Sequence, residues 1–211
     1  GLSVDLGRRV ASVTGPSCRL MLNFEDGTEA GPFERVICTA PPEQAAAMLP
    51  AGSSLQPVLK TVRMQACFAL MVGLPHPFDP GWDTLRVSDL PVSWIARNSN
   101  KPARDQGVTC LVIHGAPDWS SRHAESDRHW VRDVMLETAS TLCERPLNDA
   151  PHIVLHRWLY AFTDDGVGQD CLSDAQRGII CAGDWCIGGR VEGAFMSGRA
   201  AAEAIREDLN G

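Results

Sequence analysis

The chain has 211 residues, a formal net charge of −7, and 44% apolar against 21% charged residues. That is enough chain for one domain or two small ones around a sizeable core, with a soluble, globular composition. The negative charge argues against a broad electrostatic grip on nucleic acid or an anionic membrane, and no apolar run approaches the ~18 residues of a membrane span.

From the N-terminus, residues 8–14 and 18–25 alternate as two strands, with Gly15-Pro16-Ser17 as the turn between them. Asp26-Gly27 marks the next turn. Residues 34–39 read as a short buried strand that ends at Ala40-Pro41-Pro42, where the prolines deny further ladder donors. A short helix is expected over 43–49 and a loop over 50–54. Residues 62–74, 85–88, 92–97 and 108–114 are expected strands of one antiparallel sheet. Trp130, Val131, Val134, Met135, Thr138 and Leu142 recur at helical spacing and predict a helix over 125–143. That stripe would face inward, with Arg128, Arg132, Asp133 and Glu137 outside. Residues 153–162 form another strand, and 178–183 a short buried strand ending in Gly183. A glycine-rich loop and a helix over 191–208 close the chain. The fold class is α/β of the α+β kind, with a helix layered on a sheet.

The eight cysteines include no CxxC pair, and several sit in apolar strand runs, such as Cys38 and Cys110. They are expected to be free thiols of a reducing cytoplasm, with neither disulfides nor a zinc site. His114 is expected to be a core histidine, His123 and His129 to be solvated, and His152 to begin a strand. There is no Gly-x-Ser-x-Gly elbow, which disfavours a serine hydrolase. The basic residues are 17 Arg and two Lys, a bias that genome composition explains as well as phosphate recognition does.

The most informative stretch is Ala182-Gly183-Asp184 followed by Gly188-Gly189-Arg190-Val191-Glu192-Gly193-Ala194. A strand ends, glycines turn the chain, and a helix begins. The first turn of a helix has free N–H groups and the positive end of the macrodipole, so it favours an electron-rich group. Asp184 is an acceptor, suited to sugar-like hydroxyls rather than phosphate. Glu192 suits either a ligand or the helix dipole. The helix carries Gly193, Ala194, Ser197, Gly198, Ala200, Ala201 and Ala202. Glycine there costs up to ~1 kcal/mol against alanine; close approach to a sheet or ligand is a sufficient reason for it, and simple tight packing is the alternative.

The run from Cys181 to Ala201 resembles the C-terminal flavin-contacting motif of the FAD-linked amine oxidase superfamily. Its Gly-Asp-Trp-Cys and Arg-Val-Glu-Gly-Ala forms are similar to those of bacterial renalase-like proteins. Trp94-Ile-Ala-Arg-Asn98 with Lys101-Pro102, and His156-Arg-Trp-Leu-Tyr-Ala161, support that narrower likeness. Arg9 to Val13 resembles the strand whose backbone meets the adenine, and Val36 to Pro42 the strand and proline turn beside the cofactor. The matches run along nearly the whole chain.

The resemblance implies a discontinuous remnant of a Rossmann-like FAD-binding domain over 1–55 and 165–211. An antiparallel-sheet substrate domain with a packed helix would occupy 56–164. The FAD contacts it implies are Val10 on the first strand and Thr39, Ala40 and Pro41 after the second motif strand. Gly183, Asp184, Arg190, Val191, Glu192, Gly193 and Ala194 complete them. Substrate contacts would come from Trp94, Arg97, Asn98, His156, Trp158 and Tyr160, the last three sharing one strand face. Core filling is the competing use of those aromatics.

The implied activity is oxidation of dihydronicotinamide dinucleotides, the 2- and 6-dihydro forms of NAD(P), with O2 as acceptor. Such chemistry needs stacking and exclusion of water rather than a strong general base, so no catalytic residue is singled out. Arg190 stands where amine-oxidising relatives often have an aromatic, which makes amine oxidation the lesser alternative. The superfamily's strand–GxGxxG–helix unit does not occur in this sequence, and the chain does not begin with Met. The expectation is therefore a C-terminal fragment with weakened FAD binding. A non-catalytic domain binding a small molecule or a partner is the further alternative.

Overall fold

The computed structural model describes residues 3–210. In chain order its elements are β1 (Val10–Thr14), β2 (Leu20–Phe24), β3 (Glu29–Phe33), β4 (Val36–Cys38), α1 (Pro42–Met48), α2 (Gln56–Leu59) and β5 (Met64–Leu74). There follow β6 (Thr84–Arg86), β7 (Val92–Arg97), β8 (Thr109–Gly115), α3 (Pro117–Arg122), α4 (Arg128–Leu142) and β9 (His152–Thr163). The last are β10 (Leu172–Asp174), β11 (Ile179–Cys181), α5 (Asp184–Ile187) and α6 (Val191–Asn210).

The chain divides into two compact units. One runs up to Arg63 and resumes at Thr163; the other is Met64–Phe162. The sequence reading assigned residues 56–63 to the middle segment, but α2 belongs with the first unit. Gln56 holds it there by donating its side-chain amide to the carbonyls of Ala46 and Leu49, at 2.8 and 3.1 Å.

The first unit has two three-stranded sheets. β1, β2 and β3 form an antiparallel meander. In the second sheet β11 pairs antiparallel with β10 and parallel with β4. β4 stops where expected, and Pro42 begins α1, a position where its missing N–H costs nothing. α6 lays its small residues on β11: Ala201 is buried against Ile180 and Ala182. Close approach of the bare helix side is thus to the sheet, at Ala201 and at the buried Ser197.

The second unit is a five-stranded sheet in the order β6-β7-β8-β5-β9. One face, with Phe68, Leu70, Val72, Ile95, Leu111 and Ile113, is covered by Val131, Met135, Leu136 and Ala139 of α4. Each large buried side chain contributes roughly 1.5–3 kcal/mol of hydrophobic stabilisation. α4 begins at Asp127, whose carboxylate accepts the Trp130 N–H at 2.9 Å. The inward stripe departs from expectation at Trp130, which is 44% exposed. Its ring joins Trp119 and His123 in a surface cluster, with centroids 6.1 and 4.9 Å away. His123, expected to be solvated, is half-buried against these two indole rings. Leu136 and Ala139 take the inward places instead.

Among the described residues no helix is long and apolar enough to cross a membrane.

Candidate functional site

β4 and β11 run in the same direction, with Val36, Ile37 and Cys38 opposite Ile179, Ile180 and Cys181. The Ala182 N–H extends the ladder to the Cys38 carbonyl at 3.0 Å. Both strands therefore release their chains at one carboxyl edge. Thr39, Ala40 and Pro41 leave from one, Gly183 and Asp184 from the other. The carboxyl edge of parallel strands is where open α/β sheets bind ligands.

The chain beyond Gly183 is more ordered than a glycine-rich loop. It forms the one-turn helix α5, with Trp185 and Cys186 buried. A side chain at Gly183 would put its Cβ 2.4 Å from the Trp185 indole nitrogen, so only glycine fits. The Gly183 N–H donates to Ser197 Oγ at 3.0 Å, tying the strand end to α6. The turn into α6 is closed by Gly188 N–H on the Asp184 carbonyl and Arg190 N–H on the Gly188 carbonyl, both at 2.7 Å. Gly188 has φ +147°, in the region that favours glycine. A Cβ at Gly193 would lie 2.9 Å from the Gly188 carbonyl oxygen. The turn's own packing therefore requires glycine at 193.

The turn is not filled by its own side chains. A cavity of about 620 Å³ lies against it, lined by Thr163, Asp164, Ile187, Gly188, Gly189, Arg190, Glu192, Gly193 and Met196. Of the expected cofactor contacts, Arg190, Glu192 and Gly193 line it. Thr39, Ala40, Pro41, Gly183 and Asp184 sit at the strand edge. Val191 and Ala194 lie on the exposed first turns of α6, Val191 being 90% exposed. Val10 is in the meander, opposite Phe24, outside the cavity. Thr163, Asp164, Ile187 and Met196 went unrecognised in the sequence. The one local signal is Gly166, which backs directly onto the Ile187 carbonyl. Val167 and Gly168 N–H groups then bond the carbonyls of Trp185 and Cys186, at 3.1 and 2.9 Å.

The second sheet face of the Met64–Phe162 unit holds most of the expected substrate residues. Trp94 opposes His114 in the β7–β8 register, and their rings stack at 4.8 Å between centroids. His114 is half-buried rather than a core residue, and burial together with the nearby Lys101 cation lowers its pKa. His156 and Trp158 also pair ring to ring, at 4.2 Å, and Trp158 is 56% exposed. That exposure corrects the core-filling reading of these aromatics. Tyr160 follows on the same side of β9 by strand alternation.

Arg97 is the exception. Three residues from Trp94, it points to the opposite face, beside Ile95. Its guanidinium donates to Asp79 at 2.8 Å and lies 3.7 Å from Asp83. It braces the 79–83 segment, so the structure does not bring it together with Trp94. Asn98 lies past the strand in a single 3-10 turn.

Comparisons with solved structures agree with this fold. The chain is similar to a candidate protoporphyrinogen oxidase from Exiguobacterium sp. 255-15, at 14% identity and a TM-score of 0.74. That match covers 97% of this chain and 47% of the other. It is similar to cyclohexylamine oxidase from Brevibacterium oxydans IH-35A, at 16% identity and a TM-score of 0.72, over 96% of this chain and 48% of that one. A wild-type putrescine oxidase bound to putrescine matches at 14% identity and a TM-score of 0.67, over 94% and 48%. The chain thus spans about half the length of these structures. The family described as flavin containing amine oxidoreductase matches residues 1–206. The chain belongs to that family, whose cofactor is FAD.

Proposed function

We propose that this chain serves a renalase-like FAD-dependent oxidase acting on 2- or 6-dihydro forms of NAD(P), with O2 as acceptor. The observation that carries the proposal is the convergence of three features. They are the carboxyl edge of β4 and β11, the amide-rich start of α6, and an open cavity with Arg190 in it. The donor set fits a flavin. The first-turn amides and the Arg190 guanidinium suit its electron-rich ring edge, and Asp184 suits a ribityl hydroxyl. Residues up to Arg63 and from Thr163 would be the FAD-binding part, and Met64–Phe162 the substrate part.

When bound, the flavin would take a hydride from the substrate ring and return the electrons to O2, giving hydrogen peroxide. The chain's own residues have a narrower task. Gly183 leaves the room that Trp185 occupies and Gly188 takes a positive φ, which together let the backbone make the turn. Amides and Arg190 fix a field preorganised for negative charge, which needs no reorganisation during reaction. Trp94, His156, Trp158 and Tyr160 offer flat surface on which a dihydropyridine ring would be oriented.

The substrate reading is favoured over amine oxidation by what the second sheet face lacks. Among the described residues, the strand positions sharing that face with Trp94 and His114 carry no Asp or Glu. On β5 to β8 they are Thr84 and Arg86, Ala96, Cys110 and Val112, and Gln65, Cys67, Ala69, Met71 and Gly73. Nothing on those strands would neutralise an ammonium ion.

The test is to add FAD to purified protein, remove excess, and record the visible spectrum. The FAD-loaded protein is then mixed anaerobically with 6-dihydro-NAD, 2-dihydro-NAD, putrescine or cyclohexylamine. Bleaching by a dihydronucleotide but by neither amine is expected. Bleaching by an amine alone would replace the substrate. Protein that stays colourless with FAD would leave a non-catalytic binding domain.

A further inference from the structure

His114 entered as a core histidine and is not one. It lies on β8 directly opposite Trp94, on the face away from α4. Its contact with Trp94 is a tilted ring pair, with centroids 4.8 Å apart, and a ring contact is not a hydrogen bond. The flanking positions on that face are small or apolar: Ala96 and Val112 along β7 and β8, and Ala69 across on β5. A polar ring edge is thus set in an apolar, aromatic surface with no acidic neighbour on these strands. Burial first, and then the Lys101 cation, lower its pKa and so favour the neutral imidazole. A neutral imidazole presents one N–H donor and one acceptor nitrogen. A primary carboxamide presents the complement, one C=O acceptor and N–H donors. An ammonium group does not, because it has donors only.

We propose that His114, backed by Trp94, is a specificity-determining residue that pairs with the carboxamide of a pyridine or dihydropyridine ring stacked on this face. The assignment rests on the dihydronucleotide reading above and narrows it to the carboxamide as the recognised group. Arg86, opposite Trp94 on β6, adds a cation on the same face, which suits the phosphates of a dinucleotide.

The probe is nicotinamide, with 3-methylpyridine, which lacks the carboxamide, and benzylamine as controls. Each is titrated into the FAD-loaded protein while tryptophan fluorescence and the flavin spectrum are followed. Wild-type protein should bind nicotinamide at least about tenfold more tightly than either control, as expected for a lost pair of hydrogen bonds. H114F should lose about that factor for nicotinamide and nothing for 3-methylpyridine. H114Q, which keeps a donor and an acceptor, should recover most of it. A measurement on unaltered protein guards against misfolding of H114F: nicotinamide should shift the His114 ring-nitrogen resonances in NMR. An absent shift, or equal nicotinamide affinity in wild type and H114F, overturns the His114 assignment alone. Wild-type protein that holds FAD but binds neither nicotinamide nor a dihydronucleotide overturns the substrate reading and His114 with it.

Discussion

Cys38 and Cys181 are direct partners in the parallel register of β4 and β11, both buried, with their side chains hydrogen-bonded to each other. The pair lies at the base of the strand edge from which Ala40 and Gly183 depart. The bond from Cys181 holds the Cys38 thiol below the ordinary range, against burial and with help from the Ala40 N–H. The same bond, burial and neighbouring thiols push Cys181 up. The pair thus favours loss of the first proton from Cys38 rather than Cys181. In C181A the donor is gone, so Cys38 should titrate higher, toward the free-cysteine value of about 8.5 or above. Thiolate absorbance followed against pH measures this, and an unmoved first step would assign the low value elsewhere.

Gly193 and Gly198 lie on one helix and should respond to substitution with opposite signs. A Cβ at Gly193 meets the Gly188 carbonyl oxygen at 2.9 Å, and a backbone atom in a closed turn cannot yield cheaply. G193V should lose about 1–3 kcal/mol by overpacking, with G193A milder. At Gly198 the Cβ would meet nothing within 4 Å. G198A should therefore gain ~0.5–1 kcal/mol from reduced chain entropy. Urea midpoints of the three variants decide the matter, and stabilisation by G193A would contradict the turn geometry described above.

Much of this was legible because the signals were local. The alternation of β1 and β2, the Pro41-Pro42 stop and the small-residue helix each follow from neighbours in sequence. α5 was not legible, since four residues give no helical period. Its helix is held by tertiary bonds, from Val167 and Gly168 to its carbonyls. α3 and β3 were missed for the same reason of shortness. Trp130 fitted the apolar stripe of α4 but was drawn to a surface aromatic cluster that no periodicity records. The contact of Gly193 with the Gly188 carbonyl was not legible, because it exists only once the turn is built. His114 was misjudged because an apolar run marks a buried strand without saying which face each residue takes.

Asp184 begins α5, half-buried at the strand edge. In its proposed role as acceptor for a ribityl hydroxyl it should contribute about 1.5–3 kcal/mol to FAD binding, the range for a hydrogen bond to a charged group. D184A should lower FAD affinity by roughly ten- to a hundredfold or more, and D184N by less. Quenching of flavin fluorescence during titration gives the constant. Equal affinity in wild type and D184A would remove Asp184 from the cofactor contacts.

Asp174 is the buried charge of the first unit, only 2% exposed at the end of β10. Burial alone would raise its pKa, but its donors outweigh that and hold the carboxyl below the usual range. The Ser53 hydroxyl donates at 2.7 Å, the Ser54 N–H at 3.0 Å and the Arg177 N–H at 3.3 Å. These bonds fasten the 50–54 loop, and with it the approach to α2, onto the sheet that carries the candidate site. A carboxylate with a depressed folded-state pKa adds stability above its unfolded value of about 3.9, and loses it as pH falls through the folded value. D174N should cost ~1–3 kcal/mol near neutral pH, since it leaves donors without their charged acceptor. It should also flatten the acid limb, so that wild type and variant converge once pH has fallen through the folded value. Urea unfolding across that range tests both. A cost that stays constant down to the lowest pH would mean that the network stabilises the loop by packing rather than by the charge on Asp174.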